Sequence, residues 1–359
     1  MTRCARDRRV FFVEEPEFGC ELTPSLRCEA AGAVTIVVPQ LAADMGPDAS
    51  RAILRQLLDE MRHTYGVSDY LLWYYTPMAL AFTDHLTPVT VVYDCMDELA
   101  AFKGAPTILK QFEAELMDRA DLVLTGGQSL YEAKRHQHRN IHPFPSSVDV
   151  GHFGRARRIS HDPPDQTTTP HPRLGFFGVI DERMDLALLD GVAAAKPDWH
   201  LVMLGPVVKI DPASLPQRTN IHYLGSKSYD ELPRYVAGWD VALLPFARNE
   251  ATRFISPTKT PEYMAAGKPV VSTSIRDVVR PYGQQGLVRI ADQVPAFVQA
   301  CAAAMAEDAA TRITQADAFL AHMSWDKTWS RITLLLDDLT QSTDAEDVER
   351  VVGGGVTAA

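Results

Sequence analysis

The sequence predicts an α/β protein made of two doubly wound domains. Short apolar, largely β-branched runs alternate with segments of helical spacing along nearly the whole chain. This alternation is typical of parallel sheets covered by helices on both faces and joined by right-handed crossovers. The chain of 359 residues is long enough for two such domains, because one hydrophobic core seldom grows past roughly 250–300 residues.

The first half of the sequence carries the strand and helix signals of one such domain. Ser129 and Glu132 stand three residues apart after the last strand of this half, which predicts a capping box and a further helix. The predicted strands are Val10–Val13, Val34–Val38 (ended by Pro39), Tyr70–Tyr75, Val89–Tyr93 and Leu122–Thr125, and the predicted helices are Ser50–Tyr65 and one marked by Ile108, Leu109, Phe112 and Leu116.

A Pro-rich segment at 161–172 precedes a second series of strands and helices. It has four prolines and almost no apolar residue, so we expect a linker or an exposed connection. Ser228 and Glu231 predict another capping box, and Gly267 predicts the end of a short helix. The predicted strands are Leu174–Ile180, His200–Leu204, Ile221–Leu224, Val241–Phe246, Pro269–Ser272 and Leu287–Ile290, and the predicted helices are Met184–Ala194, Ser228–Val236, Lys259–Ala266, Ala291–Ala306, Ala309–Ala321 and Trp325–Leu339.

These patterns divide the chain into four parts. We expect an N-terminal domain at 1–160, the linker at 161–172, a C-terminal domain at 173–340 and a tail at 341–359. The tail is acidic and then Gly-rich, which predicts disorder. Doubly wound domains bind ligands beyond the carboxyl ends of their strands, so we expect the site to face a cleft between the domains.

Composition and charge argue against several classes of function. The formal charge of −11 disfavours broad nucleic-acid binding but permits a local basic pocket for a phosphate. No run approaches the roughly 20 apolar residues of a membrane span, and no signal-peptide pattern follows the first residues. We therefore expect a cytoplasmic protein, at most peripheral at the inner membrane face. The cysteines lack metal-ligand spacing, which indicates reduced thiols: Cys4, Cys20, Cys28, Cys95 and Cys301.

Several enzyme motifs are missing from the sequence. It has no Gly-x-Gly-x-x-Gly after a strand, no Gly-x-x-x-x-Gly-Lys-Ser/Thr phosphate loop, no Gly-x-Ser-x-Gly and no His-Glu-x-x-His. These absences weigh against dehydrogenases, nucleoside-triphosphate hydrolases, hydrolases and zinc proteases.

The densest polar cluster is Ser256-Pro-Thr-Lys-Thr-Pro-Glu262. Thr258 is the predicted helix cap and Lys259 the first helical residue, so free first-turn N–H groups, the helix dipole and the lysine together suit a phosphate. The Glu262 carboxylate, one turn further, could accept hydrogen bonds from two neighbouring hydroxyls, as on a ribose. An ordinary capped helix with a solvated lysine and a dipole-compensating glutamate explains the same residues.

The sequence also resembles a known family. It is similar to GT-B glycosyltransferases, most of all to the retaining family 4 enzymes that use nucleotide-sugar donors. The likeness rests on Glu262–Val271, Asn220–Gly225, Asp230–Pro233 and Trp239–Phe246 in the second half, and on Val10–Pro16, Leu72–Pro77, Val92–Glu98, Ala120–Thr125 and Pro145–Asp149 in the first half.

The resemblance implies a fold, a reaction and its partners. The fold would be two Rossmann-like domains that face a cleft, the first for the acceptor and the second for the donor. A UDP- or GDP-sugar would be the co-substrate, without a metal or other cofactor. The acceptor would be a hydroxyl of a glycan, a lipid-linked compound or a small molecule, and the transfer would retain the anomeric configuration.

The resemblance also implies roles for individual residues. Glu262 would hold the donor ribose, and the helix start at Thr258 and Lys259 would face the diphosphate, with Ser256 in the same donor site. Gly178 opens the loop on which the family presents basic residues. Arg183 of that loop would join Lys259 in stabilising the leaving diphosphate.

Four residues of the first half are candidates for the rest of the cleft. Asp94 and Asp97 follow a predicted strand, where they could contact an acceptor hydroxyl or act as a base; helix capping and turn formation are the alternative. Gly126 and Gly127 follow the next strand and could let the backbone approach the donor closely, or could form a turn.

Two departures from the family bear on activity. Phe254 stands eight residues before Glu262, where the family commonly has a second glutamate near the donor sugar. The chain also opens almost directly on a strand that resembles the family's second, so we expect the first strand–helix unit of the N-terminal domain to be missing. Two alternative hypotheses therefore stand: a non-catalytic nucleotide- or glycan-binding relative or complex subunit, and a sugar-nucleotide epimerase on the same fold.

Overall fold

The computed structural model describes residues 1–19 and 23–353. Contacts between residues group the chain into two compact units. Within the described residues, unit 1 contains 1–19, 23–95, 107–124 and 329–353, and unit 2 contains 96–106 and 125–328. This grouping divides the chain at positions other than the domain limits expected from the sequence. Those limits stay a prediction.

Strands and α-helices alternate along most of the described chain, although four strands come first and three helices last. The strands are β1 (Val10–Val13), β2 (Glu17–Gly19), β3 (Ser25–Ala31), β4 (Val34–Ala42), β5 (Leu71–Tyr74), β6 (Thr90–Cys95), β7 (Leu122–Thr125), β8 (Ile141–Pro143), β9 (Arg173–Phe177), β10 (His200–Leu204), β11 (Ile221–Tyr223), β12 (Val241–Leu244), β13 (Val270–Ser272) and β14 (Arg289–Ile290). The helices are α1 (Pro47–Thr64), α2 (Leu80–Thr83), α3 (Leu109–Arg119), α4 (Gln128–Lys134), α5 (Val150–Gly154), α6 (Leu186–Ala195), α7 (Leu232–Ala237), α8 (Lys259–Ala265), α9 (Arg276–Val278), α10 (Val294–Met305), α11 (Ala309–Leu320) and α12 (Trp325–Gly353).

Unit 2 contains a six-stranded parallel sheet in the order β11-β10-β9-β12-β13-β14. Counted along this part of the chain, the order is 3-2-1-4-5-6, which is that of a doubly wound sheet with helices on both faces. Every residue of β9 and β12 is buried, because both strands lie inside the sheet and beneath helices. The strand order reverses between β9 and β12, and such sheets bind ligands beyond the carboxyl ends at that point. The predicted α/β fold is confirmed.

Unit 1 contains two separate sets of strands. In one, β4 lies parallel to both β1 and β2, and β3 pairs with it antiparallel. In the other, β5, β6 and β7 lie side by side in that order. The antiparallel β3 was not predicted, because six of its seven residues are exposed and its sequence lacks apolar alternation. β4 also continues through Pro39, where the sequence predicted its end. That a first strand–helix unit is missing stays a prediction.

The Pro-rich segment at 161–172 is more closely packed than expected. Gln166 is fully buried. Its side-chain amide donates to the carbonyl of Tyr235 at 3.1 Å, and the indole N–H of Trp239 donates to its Oε1 at 3.0 Å. The expectation of an exposed connection is therefore wrong at Gln166. Burial of this side chain is possible because both its N–H group and its oxygen form hydrogen bonds inside the protein.

The predicted capping box at Ser129 is wrong. Ser129 lies inside α4, and its backbone N–H donates to Asp277 at 3.0 Å, so a carboxylate distant in sequence caps this helix. Glu132 instead forms ion pairs with Arg276 and Arg280.

Two other helix ends differ from the prediction. The Ser228 hydroxyl donates to Glu231, as a capping-box pair would suggest, but α7 begins only at Leu232. Residues 341–353, predicted to belong to a disordered tail, continue α12, and 354–359 lie outside the described residues. None of the described helices has both the length and the apolar character required to cross a bilayer.

Candidate functional site

The predicted donor residues lie in unit 2, in two segments that follow neighbouring parallel strands. Gly178 comes directly after β9, and the loop that it opens reaches Arg183. Lys259 is the first residue of α8, which lies between β12 and β13 in the chain. Because β9 and β12 pair in parallel, their carboxyl ends meet at one edge of the sheet, which explains how both segments reach one place.

Gly178 is favoured by its own backbone conformation and lies against the tip of the Lys259 side chain. Its φ of +137° is unfavourable for any residue with a side chain. A Cβ at this position would also lie 2.2 Å from Cε and 2.8 Å from Nζ of Lys259. The glycine therefore leaves the space through which the lysine side chain passes.

The ammonium group of Lys259 lies beside two aromatic rings. Its Nζ is 5.8 Å from the ring centroid of Phe176 and 6.0 Å from that of Phe177. Burial lowers the pKa of this lysine, although the charge of Glu262 acts to raise it. Within the described residues the ammonium makes no ion pair shorter than 4 Å. Sequence reasoning missed both phenylalanines, because their pattern indicates only a buried strand.

Glu262 carries a buried oxygen without a partner. Its Oε2 is inaccessible to solvent and accepts no hydrogen bond. Burial raises the pKa of this carboxyl to about 7, while the charge of Lys259 opposes the shift. An unsatisfied buried acceptor is unfavourable, so this oxygen is suited to a ligand that brings hydrogen-bond donors.

Arg183 is held in place by Asp181. Its Nη2 donates to Asp181 Oδ2 at 2.7 Å and its Nε to Oδ1 at 3.0 Å. The guanidinium also lies over the ring of Phe102, 5.4 Å from the centroid. The pairing fixes the direction of Arg183 but neutralises part of its charge. The sequence could have indicated this ion pair, because Asp181 and Arg183 stand only two residues apart.

The two candidate aspartates lie in different surroundings. Asp97 belongs to unit 2, where burial raises its pKa to about 6 against the opposing charges of Arg183 and Lys259. Asp94 belongs to unit 1 and accepts a hydrogen bond from the indole N–H of Trp73 at 3.1 Å. Burial also raises the pKa of Asp94 to about 6. Asp97 thus lies within the electrostatic reach of the two basic residues of unit 2.

The predicted glycine pair is packed against protein groups. A Cβ at Gly126 would lie 2.2 Å from the carbonyl oxygen of Met96. A Cβ at Gly127 would lie 2.2 Å from Asp277 Oδ2 and 2.8 Å from the Cβ of Ser256. This packing by itself requires glycine at both positions, and it brings Ser256 next to Gly127.

Two further expectations from the sequence concern the cap of α8 and the absence of a metal. Thr258 occupies the predicted cap position of α8, but its side chain makes no capping hydrogen bond. No group of three or more His, Cys, Asp or Glu side chains in the described chain is arranged to hold a metal ion. None of the described cysteines, which are Cys4, Cys28, Cys95 and Cys301, forms a disulfide, and Cys20 lies outside the described residues.

Two sequence comparisons find similarity to glycosyltransferases. Residues 171–307 match the family described as Glycosyl transferases group 1. Over 242 residues the chain is 25% identical to the "Putative teichuronic acid biosynthesis glycosyltransferase TuaH" of Bacillus subtilis (strain 168). That alignment covers 62% of this chain and 60% of the relative, so the match spans about three fifths of the relative's length.

Solved structures share the fold of nearly the whole chain. Sucrose-phosphate synthase from Thermosynechococcus elongatus matches with a TM-score of 0.71 and 14% identity, over 95% of this chain and 91% of that one. The Anabaena protein HepE, solved in complex with UDP, matches with a TM-score of 0.64 and 14% identity, over 85% and 87% of the two chains. At these identities the likeness concerns the fold, which is of the GT-B type.

Proposed function

We propose that this chain, which carries a group 1 glycosyltransferase domain at 171–307, transfers a sugar from a nucleoside diphosphate sugar to an acceptor hydroxyl. One observation carries the proposal: a buried, unpartnered carboxylate oxygen of Glu262 lies one turn along α8 from the Lys259 ammonium, which has no close ion-pair partner among the described residues. A ribose supplies hydroxyl donors for the first group, and a diphosphate supplies negative charge for the second.

In this proposal Glu262 accepts hydrogen bonds from the donor ribose. Lys259 binds the diphosphate through its ammonium. Arg183 adds a smaller positive charge, because Asp181 neutralises part of it. Gly178 keeps the space beside Lys259 open, and Ser256 and Thr258 border the same site. The fixed positions of these groups favour the transition state, since they need no reorganisation when charge develops.

The proposed reaction breaks the bond between the anomeric carbon and the diphosphate oxygen. Negative charge then grows on the leaving diphosphate, and Lys259 and Arg183 stabilise it. The acceptor oxygen forms the new bond to the anomeric carbon, and its proton passes to the leaving phosphate. Transfer on one face of the sugar retains the configuration. We assign Asp97 a contact with the acceptor hydroxyl, supported by its electrostatic proximity to Lys259.

The donor class and the place of the reaction belong to the same proposal. We propose a UDP- or GDP-sugar as donor, supported by the UDP complex of a protein with the same fold. We also propose a cytoplasmic reaction on a glycan, lipid-linked or small-molecule acceptor, with the basic side chains supplying the positive charge at the diphosphate.

Titration calorimetry of the full chain with UDP, GDP and the corresponding sugar nucleotides tests the proposal. We expect one nucleotide to bind, and Glu262→Ala to weaken its binding about 10- to 100-fold, as for the loss of a charge-assisted hydrogen bond. Glu250→Ala removes an exposed glutamate from the segment before α8 and is the matched control. Absence of binding by every nucleotide would refute the proposal, and binding without sugar transfer would favour a non-catalytic relative.

A further inference from the structure

A groove of about 780 Å³ on unit 2 is lined mainly by positive charge. Of the ten described residues that line it, one is acidic, Asp230, and four are arginines: Arg155, Arg157, Arg158 and Arg234. The chain as a whole has a formal charge of −11. A concave surface rich in arginine on an acidic chain attracts negatively charged ligands to that one place, and we call it the arginine groove.

Two segments that pack against each other bring these arginines together. A short 3₁₀ turn at Arg155–Arg158 follows α5 and carries three of them, and α7 carries Arg234. This turn lies against α7. Residues three apart in a 3₁₀ turn lie on the same side of it. Arg155 and Arg158 therefore project from one side of the turn.

Arg157 anchors the turn to the rest of unit 2. Its two terminal nitrogens donate to the carboxylate of Asp317 at 2.9 and 2.6 Å, and Nη2 also lies 3.4 Å from the carbonyl oxygen of Met264. Asp317 belongs to α11 and Met264 to α8. The charge of Arg157 is thus neutralised within the fold, while the backbone that carries the other arginines is held in place.

The remaining three arginines keep most of their binding capacity. Arg158 and Arg234 are exposed, and among the described residues neither guanidinium has a carboxylate within 4 Å or donates a hydrogen bond. Arg155 is oriented by His152, because its Nε donates to the His152 carbonyl at 3.1 Å and its Nη2 to the ring nitrogen Nδ1 at 2.8 Å. Its ion pair with Asp230 is long, at 3.8 Å, and solvated.

The surface between the arginines is apolar and has room for a small molecule. Val150, Ile159 and Pro233 line it, together with Gly151 and Gly154, which have no side chains. Small-molecule sites commonly measure about 300–1,000 Å³ and combine apolar walls with a few polar groups. The groove has this size and this combination, with guanidinium groups as its polar part.

We propose that the arginine groove binds a ligand with two phosphate groups, one at Arg158 and the other at Arg234, with Arg155 adding positive charge. The planar guanidinium fork matches two oxygens of a phosphate, so each arginine binds one group in a bidentate manner. A ligand with one phosphate engages only one of the two arginines. A second phosphate on the same molecule binds with the advantage of high effective concentration.

The arginine groove is a different site from the one proposed for the sugar nucleotide. None of the residues that we assign to the donor lines it. A soluble sugar bisphosphate and the headgroup of a lipid with two phosphates share the chemistry that the groove recognises. The experiment therefore includes one probe of each kind.

Titration calorimetry of the full chain with fructose 1,6-bisphosphate and fructose 6-phosphate tests the soluble source. We expect the bisphosphate to bind at least about 10-fold more tightly than the monophosphate, and the double variant Arg158→Ala/Arg234→Ala to lose at least about 10-fold in its affinity. The matched control, Arg135→Ala/Arg139→Ala, removes the same charge from exposed positions of unit 2 outside the groove and should bind as the original chain does. Equal losses in the two double variants would overturn the proposal.

Sedimentation with phosphatidylcholine vesicles, with and without cardiolipin, tests the lipid source. Cosedimentation that requires both cardiolipin and the Arg158 and Arg234 side chains would support the groove and assign its ligand to a lipid. Arginine-dependent binding of the soluble bisphosphate alone would support it and assign a soluble ligand. Binding of neither probe would overturn the proposal.

One further variant separates the arginine groove from the donor site. Lys259→Ala should bind the bisphosphate as tightly as the original chain, because Lys259 does not line the groove. A loss in Lys259→Ala equal to that in Arg158→Ala/Arg234→Ala would place the probe at the donor site and overturn the proposal. These readouts use neither a nucleotide nor sugar transfer, so their failure would leave the proposed function untouched.

Discussion

The two units differ in how their parallel strands are completed. In unit 2, six strands form one sheet, and β9 and β12 are buried along their whole length. In the described part of unit 1, the strands form two sets, and β1 and β5 each pair on one side only. The candidate donor groups stand on the loop that follows β9 and on helix α8, which follows β12, and both of these strands lie inside the complete sheet. Residues of unit 2 should therefore determine donor binding and turnover, while changes in unit 1 should act much less on them.

The largest effect is expected for Lys259→Ala. Removing the ammonium takes away the positive charge that we assign to the leaving diphosphate, so kcat/KM should fall about 100- to 1,000-fold. Steady-state assays with the donor identified by calorimetry measure this. Lys110→Ala, which removes an exposed lysine from α3 in unit 1, is the matched control and should leave kcat/KM unchanged. A Lys259→Ala enzyme whose kcat/KM lies within about threefold of the original value would contradict the proposed contrast between the units.

Gly178→Ala should give the next largest effect, on stability. The new Cβ combines an unfavourable φ of +137° with a contact at 2.2 Å from Lys259 Cε, and strained backbone alone costs about 1–3 kcal/mol. Gly225→Ala is the control, because Gly225 also has a positive φ of +71° but open space around its missing Cβ. Urea unfolding should show the larger loss for Gly178→Ala. Equal losses would mean that only the backbone, and not the lysine, requires glycine at 178.

The sequence predicted unit 2 more completely than unit 1, for a physical reason. Strands buried on both faces are continuous apolar runs, as in Val241–Leu244, and such runs are visible in a sequence. The exposed strand β3 buries little, so its residues carry no apolar pattern. β3 forms by pairing with β4, and the residues of β3 themselves do not indicate this pairing.

The candidate site could be predicted only in part for a similar reason. Lys259 and Glu262 stand next to each other on one helix turn, so their spacing was visible in the sequence. The partners of that site come from distant segments: Phe102 lies over Arg183, and Asp277 caps α4. Contacts of this kind depend on the tertiary fold, and nothing in the neighbouring residues indicates them.

Asp97 and Asp94 allow a direct comparison of the units with one chemical change. Asp97→Asn should lower kcat about 10-fold, because its carboxylate lies within the field of Lys259 and Arg183, and general acid–base or polar contacts contribute at least this much. Asp94→Asn should change kcat by less than about twofold. Since the pKa of Asp97 is raised to about 6, the profile of kcat against pH should lose an inflection near pH 6 only in Asp97→Asn. A larger loss of kcat in Asp94→Asn than in Asp97→Asn would instead indicate that the reaction depends on unit 1.

The smallest expected effect is the pH-dependent stability of Glu262→Gln. Burial raises the pKa of Glu262 to about 7 from its usual 4.5, so between these values the folded chain holds a proton that the unfolded chain has lost. The free energy of unfolding that this group contributes is therefore present below about pH 4.5 and is lost as the pH rises through 7.

Glutamine stays neutral, so Glu262→Gln should raise the Tm by about 2–4 °C at pH 8 and should differ little from the original chain at pH 4.5. The gain stays small because the nearby Lys259 charge favours the ionised carboxylate. Calorimetric scans at both pH values measure it, with Glu250→Gln at an exposed position as the control. A Glu262→Gln chain that is less stable at pH 8 would mean that the carboxylate is satisfied within the fold, and the ribose assignment would lose its basis.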